Sequence, residues 1–363
     1  MKISLFIESL GGGGAERVML NLAKEFCRLG HQVDLVVAST KGADRLQVPD
    51  SVRLVDLETT RTITAILPLA RYLRNESPDV LLSKMGHCNI VSILARKLAG
   101  SPTRVVISEV SLIGISTRSA AQFRSRLIPF LARRLYPRAD AIIAVSHGVS
   151  DDLSRVLNVG PKRIKVIYDP VVTPELHEKI GRQVEHPWFT KSAPPVIVGV
   201  GRLDPEKDFS TLLRAFTIIR RNRQIRLMIL GEGPERPVLE SLVQDLGVAA
   251  DVSLPGFVEN PLPFIDRASA LVLTSRFEGL SNVLIEALAC RTPIVATDCP
   301  CGPREILDQG RYGKLVPVRD VQAVACAIEQ TLDDPPDPLL LKTAAERFYV
   351  DVIAKEYLEV LMG

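Results

Sequence analysis

The chain has 363 residues, 46% of them hydrophobic and 24% charged, with a formal net charge of +3. This is the composition of a globular protein, and the length favours two domains over one. No apolar run approaches the roughly 20 residues that span a bilayer. The opening run ISLFI is too short for a secretory signal, and Glu8 interrupts it, so the chain is expected in the cytoplasm with any membrane contact peripheral, on the inner face. The six cysteines, Cys27, Cys88, Cys290, Cys299, Cys301 and Cys326, show no zinc spacing and are expected to be reduced and structural. Charge is unevenly spread. Residues 1–170 carry 24 Lys and Arg against 15 Asp and Glu, whereas residues 171–363 carry 21 against 27, so the two halves should meet different partners.

In chain order, short β-like runs alternate with helical patterns twice over. The first half offers KISLFIE, QVDLVVA, VRLVDL, DVLLS, RVVISE, AIIAVS and RIKVIY, with helical patterns at 15–29, 64–76, 88–99 and 119–136. The second restarts at PPVIVGVG and continues with IRLMILG, DVSLPG, ALVLTS, PIVATD and GKLVPV. Apolar strands alternating with helices predict parallel sheets covered on both faces, in two doubly wound α/β domains. The Pro-rich segment 169–195 reads as the lead-in to the second domain. The boundaries follow as 1–170 and 171–338, with a last helical stretch at about 339–363.

Gly11, Gly12, Gly13 and Gly14 lie between the first strand and the first helix, where glycine lets backbone approach a phosphate. A plain turn or a nicotinamide-type fingerprint are the other readings. Asp34 stands at about the right distance for the latter, but inside the second strand rather than at its end. Glu16 either caps the first helix or faces the ligand side. His87 in SKMGHCN and His147 in AVSHGVSDDL are candidate catalytic imidazoles, although a lone His is more often structural. Glu109 closes the strand RVVISE.

The stretch 117–140 carries Arg118, Arg124, Arg126, Arg133, Arg134 and Arg138 between Phe123, Leu127, Phe130, Leu131 and Leu135. Such a basic amphipathic helix fits an anionic membrane surface or a lipid diphosphate. It equally fits a helix whose apolar face belongs to the core. No aromatic platform or reader motif accompanies the arginines, so nucleic acid is not expected.

In the second half, Arg202 and Lys207 follow the strand PPVIVGVG, a place where α/β sheets bind ligands. A guanidinium grips phosphate oxygens bidentately and an ammonium acts as a point charge. Glu278 and Glu286 stand in SRFEGLSNVLIEALACRTPIVATD, the first in a loop after the strand ALVLTS and the second inside the helix that Ser281 or Asn282 would cap. Free N–H groups and the positive end of a helix dipole lie beside two carboxylates. That combination suits a diphosphate flanked by polyols, as in a nucleotide sugar. No Asp-x-Asp metal motif appears, so fixed cations are expected to offset the diphosphate, with no metal and no cofactor.

These motifs resemble retaining glycosyltransferases of the GT-B fold, in particular glycosyltransferase family 4. The acidic stretch around Glu278 and Glu286, the glycine loop SLGGGGAERVMLNLA, the Arg-x4-Lys element GVGRLDPEKDFSTLLRAF and the loop DCPCGPREIL stand in the family's order. The resemblance implies two Rossmann-like domains facing across a cleft, with the last helix packed back on the first. It implies that Glu278 meets the donor sugar near its 3- and 4-hydroxyls and Glu286 the ribose. Gly13, Gly14, Leu280, Ser281 and Asn282 would lie near the phosphates, and Phe257 and Val258 near the base. UDP is the default nucleotide, with GDP also possible, and the acceptor would be a saccharide or lipid-linked saccharide. Transfer would occur on one face of the sugar, the leaving diphosphate helping to deprotonate the acceptor. The chain departs from the family at Val110, where many members have His, and at Arg291, where Gly is usual. Glu109 fits the family's acidic position, where it would join Glu278 as a catalytic candidate that orients acceptor or sugar, with His87 the nearby imidazole. Two further readings stay open: a sugar-nucleotide epimerase of the same fold, and a catalytically silent nucleotide-sugar-binding relative.

Overall fold

The computed structural model describes residues 1–40, 47–114, 123–184, 186–190 and 193–363, and the side chains of all of these except 123–127 and 161. The chain divides into two compact units, Met1–Val171 with Phe348–Gly363, and Val172–Arg347. Arg118 lies outside the described residues.

All seven strand-like runs of the first half form strands: β1 (Lys2–Ile7), β2 (Gln32–Val37), β3 (Arg53–Asp56), β4 (Val80–Lys84), β5 (Arg104–Glu109), β6 (Ala141–Ala144) and β7 (Ile164–Val166). They pair in parallel in the order β3-β2-β1-β4-β5-β6-β7. Helices α1 (Gly14–Arg28), α2 (Ile66–Glu76), α3 (Gly86–Ala99), α4 (Phe123–Leu135) and α5 (His147–Leu157) make the crossovers. Strand β1 is buried along nearly its whole length, as a parallel strand covered on both faces must be. Helix α1 turns Val18, Met19, Leu22, Ala23 and Phe26 onto it at helical spacing.

The second unit repeats the scheme with β8 (Val196–Val200), β9 (Arg226–Leu230), β10 (Val252–Gly256), β11 (Ala270–Leu273), β12 (Ile294–Thr297) and β13 (Lys314–Val316). Their order is β10-β9-β8-β11-β12-β13, again parallel. Helices α6 (Pro174–Ile180), α7 (Phe209–Arg220), α8 (Arg236–Asp245), α9 (Leu262–Arg267), α10 (Asn282–Cys290), α11 (Pro303–Ile306), α12 (Val321–Asp333) and α13 (Pro338–Ala345) accompany them. Its core gathers Leu212, Phe216, Leu227, Val272, Val295 and Ile328.

The helical stretch expected at 339–363 is two helices in different units. Helix α13 belongs to the second unit, and Arg347 Nη2 donates to the Ile306 carbonyl there at 2.7 Å. Tyr349 then turns extended, at φ −69° and ψ 137°, and α14 (Val350–Met362) begins. Ile353, Tyr357 and Leu361 enter the first unit's core beside Ile3, Leu5 and Phe26. That unit also buries an ion pair: Lys84 Nζ lies 2.6 Å from Asp169 Oδ1, with the lysine fully buried. Desolvation alone would lower the lysine pKa. The facing carboxylate and Tyr357 together outweigh it and the net shift is upward.

All six cysteines are free. Burial pushes the Cys299 thiol up to about 12, which removes thiolate character. Among the described residues no helix is long and apolar enough to cross a membrane.

Arg291 occupies the C-cap of α10 with φ 61° and ψ 27°, left-handed backbone that a side chain adopts at a cost of roughly 1–2 kcal/mol. Its charge sits at the negative end of the helix dipole and recovers only part of that. Arg291→Gly should therefore raise stability by about 0.5–1 kcal/mol, read as a shift of the urea midpoint at constant slope.

Candidate active site

In each sheet the strand order reverses at one place: between β1 and β4 in the first, between β8 and β11 in the second. At such a reversal neighbouring crossovers leave on opposite faces, and the carboxyl ends of the two strands open a crevice. The residues with chemistry collect at these two places.

In the second unit, the loop after β8 carries Arg202 and Lys207, and the loop after β11 carries Glu278. Lys207 Nζ donates to Glu278 Oε1 at 2.6 Å. Ser275 Oγ donates to the same oxygen at 2.7 Å. The Glu278 side chain is 9% exposed and that of Lys207 22%, so the pair is held partly out of water. Arg202 differs. Its guanidinium is 78% exposed and rests on Asp204, with Nε 2.8 Å from Oδ2. An exposed pair of this kind contributes about 0–1 kcal/mol, little hindrance to swinging onto a stronger anion.

The loops around this pair are joined backbone to backbone. Leu203 N–H donates to the Glu232 carbonyl and Glu235 N–H to that of Leu203, both at 2.9 Å. A Cβ at Gly231 would lie 1.9 Å from the Gly201 carbonyl oxygen, so the loop after β9 has to begin with glycine. Gly302 packs on the backbone of Leu280 and Ser281 in the same manner. Ser281 stands at the N-cap of α10, as its position predicts, but its hydroxyl makes no cap bond. Leu280 is buried, and the Asn282 Oδ1 is shielded from solvent without a hydrogen-bond partner among the described residues. Glu286, about one turn further along α10, is half-buried. Beyond β10, Phe257 is 46% exposed, while Val258 packs against the cluster of Val198, Met228 and Leu230.

In the first unit the glycine loop joins β1 to α1. Gly12 takes φ 81°, and Gly13 is the N-cap of α1 with Gly14 the first helical residue. Glu16 folds back over this N-terminus: its Oε2 lies 2.4 Å from where a Gly13 Cβ would stand, so both readings of Glu16 meet at the helix start. Burial raises its pKa, and the nearby Glu8 adds to the shift. His87, in the first turn of α3, has Nε2 3.1 Å from Glu8 Oε2, and Thr62 Oγ1 donates to Glu8 Oε1 at 2.8 Å. Met85, just ahead of α3, is held at φ 77° and ψ 142°, a strained conformation for a side-chain-bearing residue. His147 opens α5 instead.

Glu109 is 1% exposed. Its Oε2 accepts from Tyr136 Oη at 2.7 Å, and its Oε1 from the N–H groups of Val110 and Ser111 and from Ser111 Oγ. It therefore shapes the loop after β5. Asp34, the residue a dinucleotide fingerprint would need, is taken up by Arg53, with Nε–Oδ1 at 2.7 Å, and by Tyr72. On α4, Ala132 and Leu135 are buried while Arg133, Arg134 and Phe130 are exposed. Arg124 and Arg126 lie on the same helix with side chains outside the described set.

Sequence reasoning missed Glu8, Thr274, Ser275 and Arg276 as members of these sites, and read Asp208 only as one of the acids, with Asp204 and Glu206, around Arg202 and Lys207. A hydroxyl three residues before Glu278 and a carboxylate next to Lys207 were the available signals.

Two doubly wound units with charged loops at both switch points define a GT-B glycosyltransferase. A family model described as "Glycosyl transferases group 1" matches residues 194–334, and one described as "Glycosyltransferase Family 4" matches residues 12–174. The N-acetylgalactosamine-N,N'-diacetylbacillosaminyl-diphospho-undecaprenol 4-alpha-N-acetylgalactosaminyltransferase of Campylobacter jejuni is 30% identical, with 100% of both chains covered. The lipopolysaccharide core biosynthesis glycosyltransferase LpsE of Rhizobium meliloti is 27% identical over 96% of each. Among solved structures, HepE of Anabaena in complex with UDP-glucose superposes with a TM-score of 0.80 at 21% identity, covering 100% of this chain and 99% of that one. The chain belongs to glycosyltransferase family 4.

Burial holds the Glu109 pKa above its ordinary 4.5, even though Tyr136 and the loop donors pull it down. Folding thus favours its protonated form. Its contribution to stability is full below pH 4.5 and is lost as the pH rises through the elevated folded value. Urea midpoints measured across this range should fall less steeply with pH in Glu109→Gln than in the wild type.

Proposed function

We propose that this protein transfers a hexose-type sugar, with retention and without a metal, from a nucleoside-diphosphate sugar to a saccharide or lipid-linked saccharide in bacterial glycan assembly. The observation that carries the reading is the Lys207–Glu278 pair at the β8/β11 switch point, one group suited to phosphate and the other to sugar hydroxyls. Arg202 and the first turn of α10 add positive potential for the diphosphate. Glu286 suits the ribose hydroxyls and Phe257 the base. Support for the donor class comes from the UDP-glucose complex of HepE, and for the acceptor class from the diphospho-undecaprenol named in the Campylobacter jejuni relative.

On this reading the bond from the anomeric carbon to the diphosphate breaks. An acceptor hydroxyl attacks on the face the diphosphate leaves, and its proton passes to the departing phosphate oxygen. The protein's task is charge stabilisation, supplied by Lys207, Arg202 and helix N–H groups. The first unit, with its net positive charge, serves the acceptor. Exposed Arg133 and Arg134 beside Phe130 suit an anionic lipid surface. The Glu8–His87 pair suits an acceptor hydroxyl, and Glu109 orders the loop beside it.

The test is product analysis with a panel of UDP- and GDP-sugars and a diphospho-undecaprenol-linked saccharide. Transfer that keeps the donor's anomeric configuration supports the proposal, and inversion, donor isomerisation or no reaction overturns it. Glu278→Gln should lower kcat by about 100-fold with a smaller change in donor KM. Glu286→Ala should mainly raise the donor KM. A near wild-type kcat in Glu278→Gln would remove this residue from the catalytic centre.

Transfer should also persist in excess EDTA, because Arg202 and Lys207 are fixed cations. Loss of activity that Mg²⁺ or Mn²⁺ restores would contradict the metal-free reading.

A further inference from the structure

We propose that Asp208 and Arg276 form a clamp that positions Lys207, so that these two residues set diphosphate affinity without touching the donor. The inference rests on the reading of Lys207 as the diphosphate cation.

Asp208 is the N-cap of α7, where an Asp side chain ordinarily accepts from the N–H groups of the first turn. Here it makes no cap bond and takes φ 49° and ψ 44°. Left-handed backbone is less favourable than the right-handed regions even for Asp, which tolerates it better than most residues, and the cap bond is forgone as well. The carboxylate has turned to Arg276 instead. Arg276 Nη2 donates to Oδ1 in one long hydrogen bond of 3.4 Å, while Nε lies 3.3 Å from Oδ2 as an ion pair without hydrogen-bond geometry. The Asp208 side chain is 5% exposed, so its charge requires a partner. Two locally unfavourable choices are thus made at one residue, and both serve the contact with Arg276.

That contact belongs to a wider strap. Thr274 Oγ1 lies 3.0 Å from the carbonyl oxygens of both Lys207 and Asp208. The Arg276 N–H donates to the Glu206 carbonyl at 2.8 Å. Residues 274–276 therefore grip the backbone on both sides of Lys207. Two residues further on, the same segment presents Glu278 to the Lys207 ammonium. A lysine stem has four rotatable bonds and high rotamer entropy. With its backbone fixed and its tip held, little freedom remains to be lost when a diphosphate binds.

The experiment measures binding of UDP, GDP, ADP and CDP by calorimetry to the wild type, Asp208→Gly, Arg276→Gln, Lys207→Ala and the double variant Asp208→Gly/Lys207→Ala. Asp208→Gly is chosen because glycine accepts the left-handed turn, so the fold should be kept, and thermal melting checks this. For the nucleotide the wild type binds, Asp208→Gly and Arg276→Gln should each raise Kd about tenfold, with no further loss when Asp208→Gly is added to Lys207→Ala. The clamp alone falls if Lys207→Ala weakens binding while Asp208→Gly stays within about twofold of wild type, or if Asp208→Gly costs the same with and without Lys207. If Lys207→Ala binds as the wild type does, or the wild type binds none of the four nucleotides, the reading of Lys207 fails and the clamp with it.

Discussion

The reversal of strand order between β8 and β11 is the constraint on which the second unit's chemistry depends. Because β8 and β11 are neighbours in the sheet but begin at Val196 and Ala270, far apart in the chain, their loops meet only if the sheet forms in this order. Leu271 opposite Val198 fixes the register, so the loop ends emerge at matched height. From this follow the 2.6 Å approach of Lys207 to Glu278 and the bonds from Thr274 and Arg276 to the facing loop.

The same pairing settles an electrostatic problem. A lysine and a glutamate held at 22% and 9% side-chain exposure would each be strained if alone. Opposed, they neutralise each other while remaining within reach of solvent. Arg202 is the exposed member of the set and rests on Asp204. The half-enclosed cation and the exposed one thus have different physical characters, although both stand in one Arg-x4-Lys element.

Much of this was legible in the chain. Every strand run was readable because a parallel strand buried on both faces is continuously apolar, as KISLFIE and IRLMILG show. Glu278, Lys207 and the N-terminus of α10 were readable because charged or small residues directly after an apolar strand mark a sheet's carboxyl end. The break at Glu346–Phe348 was not, since the apolar spacing of α13 and α14 is alike and only tertiary packing sends them to different units. Asp208 was hidden for a related reason. An Asp before a helix reads as a cap, and nothing local shows that Arg276, 68 positions away, claims its carboxylate.

The first unit shows why its site is harder to read. Its polar groups come from separate strand ends: Glu8 after β1, Thr62 before α2, His87 at the start of α3. None belongs to a motif, and each alone has a bland structural reading. Their meeting depends on β1 pairing with β4, the reversal in that sheet. Glu109, which did look chemical at the end of β5, is enclosed instead and bonded on both oxygens. The imidazole of His87, on the β4 side of the reversal, lies 3.1 Å from Glu8. The two sheets thus follow one rule: what lies at the reversal is exposed to chemistry, and what lies one strand further out is drawn into support.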